Sequence, residues 1–144
     1  SKGDIRTAEL RDKMQRAMQR YAPVYRDEKI LEKGIEIMKD NFKDFNNLSV
    51  SDKSLIWNTD LVESLELNNL LYQSLATLYS AYNRTESRGS HAREDYPDRN
   101  DKDWLKHTMV WLGEDGDSKF DYKPVELKTL TDEVETVALK ARTY

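Results

Sequence analysis

Cysteine is absent from the 144-residue sequence, which removes disulfides, thiolate-bound zinc, iron–sulfur ligation and thiol nucleophiles. Histidine is scarce, with only His91 and His107. The five glycines, Gly3, Gly34, Gly89, Gly113 and Gly116, are scattered, and none sits in a strand–turn–helix phosphate-binding fingerprint. No apolar run approaches membrane-spanning length. The opening SKGDIRTAEL has neither an apolar signal core nor the Arg/Ser-rich, acid-poor character of a transit segment. An excess of positive charge is also missing: 23 basic against 27 acidic residues leave a net charge of -4. Such a chain has no global field for nucleic acid or acidic lipid. No nucleic-acid partner and no direct membrane insertion are therefore expected. Asn47-Leu48-Ser49 and Asn83-Arg84-Thr85 fit the glycosylation triplet, but without a secretory signal they read as chance matches.

What is present fits one domain in size. At 38% hydrophobic and 35% charged residues, with mean hydropathy -0.88, it is lean for a self-sufficient globule. Some apolar surface is expected to meet something outside the chain. Ser1 has no Met before it, and the sequence reads as part of a longer protein.

Three helices are predicted. Thr7 to about Tyr21 places Leu10, Met14, Ala17, Met18 and Tyr21 at helical spacing, with Thr7 as N-cap. After Pro23, Asp27 caps a second helix carrying Ile30, Leu31, Gly34, Ile35, Met38, Phe42 and Phe45 on one face, with Asn46-Asn47 as its stop. The third, about Asp60 to Arg84, is apolar on two sides. Leu61, Leu65, Tyr72, Leu75, Tyr79 and Tyr82 line one, and Leu67, Leu70, Leu71 and Leu78 the other. A helix of that kind sits between neighbours, so residues 1–84 are expected to form an antiparallel, spectrin-repeat-like three-helix bundle with this helix at its centre. Asn68 and Asn69 are either solvated or a buried pair. Residues 85–144 then supply a long loop to about Asp103, a β-hairpin and an extended tail. Trp104 to Leu112 and Lys119 to Lys123 read as strands about the turn GEDGD, with Pro124 limiting the second. Val125, Leu127 and Leu130 are possible anchors for the tail. The fold class expected is mainly α.

The loop TESRGSHAREDYP gathers the charges that resemble chemistry. His91, Asp95 and His107 are metal-ligand types, but they lie on unrelated elements without a helical His pair, so no metal site is expected. His91 oriented by Glu94 or Asp95 is physically capable of acid–base work, although a surface or interface imidazole is the simpler reading. Nothing resembles the Gly-flanked serine turn of a hydrolase; Ser87 and Ser90 flank Arg88-Gly89 as a tight turn. No catalytic, cofactor-binding or metal-ligating residue is therefore assigned. Residues 85–103 offer only Ala92, Tyr96 and Pro97 to a core, which favours disorder. Their arginines suit planar contacts to carbonyls and carboxylates, which favours docking. Both readings stay open on the residues alone.

The run ESRGSHAREDYPDRNDKDWLKHT, Glu86 to Thr108, resembles the signature of the C-terminal region of succinate dehydrogenase and fumarate reductase flavoprotein subunits. MQRAMQRYAPVYR is similar to that family's first helix, IWNTDLVESLELNNLL to its central helix, and RTY, residues 142–144, to its C-terminal end. L-aspartate oxidases share the Ser-Arg-Gly, His, Asp-Tyr-Pro core without the strand that begins Trp104 to Thr108.

The resemblance implies a parent enzyme, succinate dehydrogenase favoured, that oxidises succinate to fumarate. It would pass a hydride to covalently bound FAD and electrons through an iron–sulfur subunit to quinone. The flavin-linking and substrate-binding residues would precede this region, leaving no cofactor here and FAD in the parent subunit. Ser87, Arg88, His91, Arg93, Asp95 and Arg99 would be domain-docking residues packed on the flavin-binding domain of the same subunit, positional rather than chemical. The subunit would be peripheral, on the cytoplasmic side of a bacterial inner membrane or the mitochondrial matrix side. The alternatives are a freestanding helical interaction module, a hydrolase using His91, or the equivalent domain of a fumarate reductase or L-aspartate oxidase.

Overall fold

The computed structural model describes residues 3–140; the RTY end at 142–144 lies outside them. The chain runs β1 (Ile5–Arg6), α1 (Thr7–Tyr21), β2 (Tyr25–Arg26), α2 (Glu28–Asp44), a 3-10 turn (Phe45–Asn47), β3 (Leu48–Ser49), α3 (Thr59–Asn83), β4 (Ala92–Arg93), α4 (Asp101–Trp104), β5 (Lys106–Leu112) and β6 (Ser118–Pro124). The fold is mainly helical, with the three long helices packed on one another.

Helix direction follows from side-chain contacts. A Cβ on Gly34, early in α2, would stand 2.7 Å from Tyr21 Cβ at the end of α1, while Lys13 of α1 reaches Asp44 at the end of α2 at 4.0 Å. These helices are antiparallel. Gly34 also faces Leu78 of α3, and Phe42 stacks edge-on against Tyr72 with ring centroids 4.8 Å apart, so α2 and α3 are antiparallel as well. Leu10, Met14, Leu31, Met38, Leu67, Leu71, Leu75 and Leu78 fill the shared core. Burial of aliphatic side chains of this size contributes roughly 1.5–3 kcal/mol each, before the entropy of ordering is subtracted.

The helix starts are explained by local donors and acceptors. Asp27 Oδ1 accepts from Ile30 N at 2.8 Å, as the sequence predicts. Thr7 is not the cap. Ile5–Arg6 pairs in parallel with Leu48–Ser49, which holds Arg6 extended as the cap residue. Thr7 opens the helix with its hydroxyl 2.8 Å from Ser64 Oγ. Asn58 caps α3 through Leu61 N at 2.8 Å, so that helix begins before Asp60.

The two-sided third helix needs correction. Leu67, Leu71, Leu75 and Leu78 are buried, yet Leu61, Leu65 and Leu70 are exposed. The hairpin covers only the C-terminal half of α3. Tyr79 Oη donates to Gly116 O at 3.1 Å and Tyr122 Oη to Asn83 at 2.8 Å. Gly116 at φ +78 sits against Phe42 and Leu75, where a Cβ would approach to 3.3 Å. The Asn-Asn pair is not buried, since Asn69 is exposed and Asn68 half-buried. Trp104 ends a helical turn capped by Asn100 rather than starting a strand. β5 and β6 pair antiparallel from Lys106↔Pro124 to Leu112↔Ser118. In the tail no helix or strand forms over residues 125–140; Val125 is half-buried, while Leu127 and Leu130 are exposed.

Candidate functional site

The charged loop is built around two side chains that water does not reach. Glu86 is wholly buried, 0% exposed, and Arg93 is 2% exposed. Burying a charge is costly unless it is paired and hydrogen-bonded, and both groups are saturated.

Glu86 lies between two guanidinium groups. Arg88 Nε and Nη2 donate to it at 2.8 and 3.0 Å, Arg84 Nη1 at 2.5 Å and Asn100 N at 2.8 Å. Burial pushes this carboxyl up. The hydrogen bonds from Arg88, Asn100 and Arg84 outweigh that and hold it below the ordinary glutamate value. Arg88 also binds Asp101 at 2.7 Å, and Arg99 binds the other Asp101 oxygen at 2.9 Å. Arg84 reaches on to Trp104 O and Lys106 O, tying the root of the hairpin to the end of α3.

Arg93 closes the last turn of α3. Its Nη1 donates to Ala81 O, Tyr82 O and Arg84 O at 3.1, 3.0 and 3.3 Å, the carbonyls a helix leaves unpaired at its end. Its Nε and Nη2 form a bidentate pair with Asp95 at 2.7 and 2.6 Å. Asp95 in turn accepts from Glu28 N at 2.9 Å, at the start of α2. One ion pair thus sets a cation at a helix C-terminus and an anion at a helix N-terminus, the favourable sign at both ends.

Ser87 Oγ accepts from Arg93 N at 2.8 Å and is 2.8 Å from Tyr96 O. Ala92–Arg93 adds in parallel to Tyr25–Arg26, which joins the loop to the α1–α2 connection. Gly89 at φ +59 and Ser90 form the exposed tip.

His91 is half-buried, with Nδ1 3.5 Å from Arg26 Nη1 and Nε2 3.3 Å from Arg84 O. Burial, with the charges of Arg26, Arg93 and Arg84, pushes its pKa down. Glu94 is exposed and Asp95 is engaged by Arg93 and Glu28, and the imidazole instead faces Arg26 and the Arg84 carbonyl. His107 lies on β5 opposite Lys123. Among the described residues no group of three or more His, Asp or Glu is arranged to hold a metal.

The structure therefore brings Ser87, Arg88, His91, Arg93 and Asp95 into one network, with Arg99 joined through Asp101. Arg26, Arg84, Glu86, Asn100 and Asp101 were missed as members. The two acid–base pairs at spacing two, Glu86/Arg88 and Arg93/Asp95, were the available signal. A groove of about 730 Å³ runs beside the loop, lined among others by Pro23, Tyr25, Arg26, Arg88, His91 and Arg99.

Comparison with known proteins gives this arrangement its family. A family profile described as "Fumarate reductase flavoprotein C-term" matches residues 11–144. The chain belongs to the C-terminal family of succinate dehydrogenase and fumarate reductase flavoprotein subunits. The succinate dehydrogenase flavoprotein subunit of Rickettsia bellii is 54% identical over 144 residues, all of this chain and 24% of the relative. The mitochondrial succinate dehydrogenase [ubiquinone] flavoprotein subunit of Oryza sativa is 42% identical over 142 residues, 99% of this chain and 22% of the relative. A chain of E. coli quinol fumarate reductase superposes with TM-score 0.84 at 33% identity, over 90% of this chain and 22% of that one. The chain thus spans about a quarter of the length of the curated relatives it matches. Those relatives are bacterial and mitochondrial flavoproteins named as subunits. No helix among the described residues is long and apolar enough to cross a membrane.

Proposed function

We propose that this chain is the C-terminal helical domain of a succinate dehydrogenase flavoprotein subunit. The parent would oxidise succinate to fumarate with FAD and pass electrons through an iron–sulfur subunit to quinone. The observation that carries the reading is 54% identity to a succinate dehydrogenase flavoprotein subunit along the whole chain. The parent would sit as a peripheral subunit on the cytoplasmic side of a bacterial inner membrane, or on the matrix side in a mitochondrion.

Within it this domain is structural, and Ser87, Arg88, His91, Arg93, Asp95 and Arg99 form a docking loop toward the flavin-binding domain. Their roles divide. Ser87, Arg93 and Asp95 use their polar atoms inside the domain and hold the loop's shape. Arg88, His91 and Arg99 also bond inside the domain, to Glu86 and Asp101, to Arg84 O and to Asp101 respectively, but they line the adjoining groove, where their remaining surface is offered to the partner.

The experiment compares the 144-residue chain with the longer subunit that carries it. The longer subunit is expected to copurify with FAD and to oxidise succinate with an artificial electron acceptor. The 144-residue chain should do neither. Succinate turnover by the chain alone, or a longer subunit without flavin, overturns the reading.

A further inference from the structure

Arg26 is the one guanidinium of the charged network that has no carboxylate partner among the described residues. Arg84, Arg88, Arg93 and Arg99 are paired to Glu86, Asp95 and Asp101. Arg26 instead donates from Nε to Pro23 O at 2.8 Å, and its Nη1 lies 3.5 Å from His91 Nδ1. It is half-buried, and burial together with the charge of Arg93 pushes its pKa down. A partly desolvated cation beside a second cation is costly unless an anion compensates it.

Arg26 and His91 also line a second cavity, distinct from the groove beside the loop. This hollow of about 410 Å³ is bounded by Ser80, Ala81, Arg84 and Thr108 among others, none of which lines the groove. Ser80 is half-buried, and its hydroxyl makes no hydrogen bond among the described residues. Thr108 Oγ1 accepts from Arg84 Nη2 at 3.2 Å, which leaves its own hydrogen to donate. His91 fixes the arrangement without being a ligand. With Nε2 donating to Arg84 O at 3.3 Å, a neutral imidazole turns the lone pair of Nδ1 toward Arg26 and positions that guanidinium.

We propose that this hollow binds a small tetrahedral oxyanion of the phosphate class, held by the Arg26 guanidinium with the Ser80 and Thr108 hydroxyls as further donors. A guanidinium offers parallel N–H groups to two oxygens of one anion. The hydroxyls come from α3 and β5, so the donors approach from three elements rather than in one plane, which suits a tetrahedral anion better than a planar carboxylate. The chain as a whole carries a net charge of -4, so the attraction is local and not a property of its overall field. Ser80, Arg84 and Thr108 stand outside the docking set, and the site does not depend on which reaction the parent subunit carries out.

The test measures radiolabelled inorganic phosphate bound by the longer subunit in equilibrium dialysis, for the parent and for Arg26→Gln, Arg26→Lys and Arg20→Gln. Arg20 is exposed and stacks on Tyr21, so its variant removes the same charge away from the hollow. Phosphate held elsewhere in the subunit is common to all four and cancels. The parent is expected to bind one phosphate that Arg26→Gln binds about tenfold or more weakly, the loss of a charge-assisted contact. Arg26→Lys should fall between them, and Arg20→Gln should match the parent. Equal binding by the parent and Arg26→Gln, or an equal loss in Arg20→Gln, overturns the proposal. If circular dichroism shows Arg26→Gln unfolded, the comparison of parent with Arg26→Lys decides, and equal binding there overturns it. Bound FAD is read from absorbance in the same samples: Arg26-dependent phosphate without FAD keeps this site and removes the flavoprotein reading, and FAD without such phosphate does the reverse.

Discussion

Arg93 Nη1 lies 3.1 Å from the main-chain oxygen of Ala81, inside a domain whose other buried side chains are almost all apolar or small. This guanidinium takes the place that a glycine-based C-cap usually fills. Removing it leaves three carbonyls short of a donor and Asp95 without its bidentate partner. Arg93→Met should destabilise the chain by about 3–5 kcal/mol, the range for breaking a buried pair. Arg93→Lys should recover only part of that, because an ammonium lacks the planar fork. Urea titration followed by circular dichroism reads both. An Arg93→Met chain as stable as its parent rejects this account.

Glu86 makes stability depend on pH in a predictable direction. Its folded pKa is depressed, so the unfolded chain binds the proton more readily than the folded one. The contribution is complete above the ordinary glutamate value of about 4.3 and is lost as pH falls through the lower folded value. Asp95, held down chiefly by its hydrogen bond from Arg93, acts in the same sense from about 3.9 downward. Melting temperature should therefore fall more steeply below pH 4 in the parent than in Glu86→Gln, which has no proton to gain there.

Arg88 supplies two of the donors on Glu86. Arg88→Ala should lower the stability of the 144-residue chain itself by about 1–3 kcal/mol, the cost of leaving a buried acceptor short. If the isolated variant melts like its parent, Arg88 acts only toward another domain, as the resemblance alone implies.

Gly34 tests the helix packing apart from the charges. Alanine normally favours a helix interior by about 1 kcal/mol over glycine. Here its Cβ would lie 2.7 Å from Tyr21 Cβ and 3.0 Å from Leu78 Cδ2. Gly34→Ala should therefore be net destabilising, by about 1–2 kcal/mol, measurable by thermal denaturation. A gain in stability would show that α1 can shift away at little cost.

The parts of this fold legible in the sequence were those set by periodicity. Leu10, Met14 and Ala17, or Leu31, Gly34 and Met38, repeat at helical spacing, and the helices they define fall within a residue or two of the observed ends. The loop was not legible in that way. Counting apolar residues over 85–103 suggested too little to order it, whereas its interior consists of Glu86 and Arg93 with their partners. Hydropathy scores such residues as solvent-facing, and only pairing across the fold reverses that. The exposed Leu61 and Leu65 were misjudged for a related reason: the sequence signals that a helix face is apolar, not how far along it a hairpin extends.

The parallel pairing of Tyr25–Arg26 with Ala92–Arg93 joins segments 67 positions apart along the chain. Such a contact is entropically expensive to close and is rewarded only once the helices have brought its ends together. The loop should accordingly lock after the helices have collapsed. Substitutions there are expected to speed unfolding while leaving the folding rate nearly unchanged, so the charged network would act as a kinetic latch on a domain assembled without it.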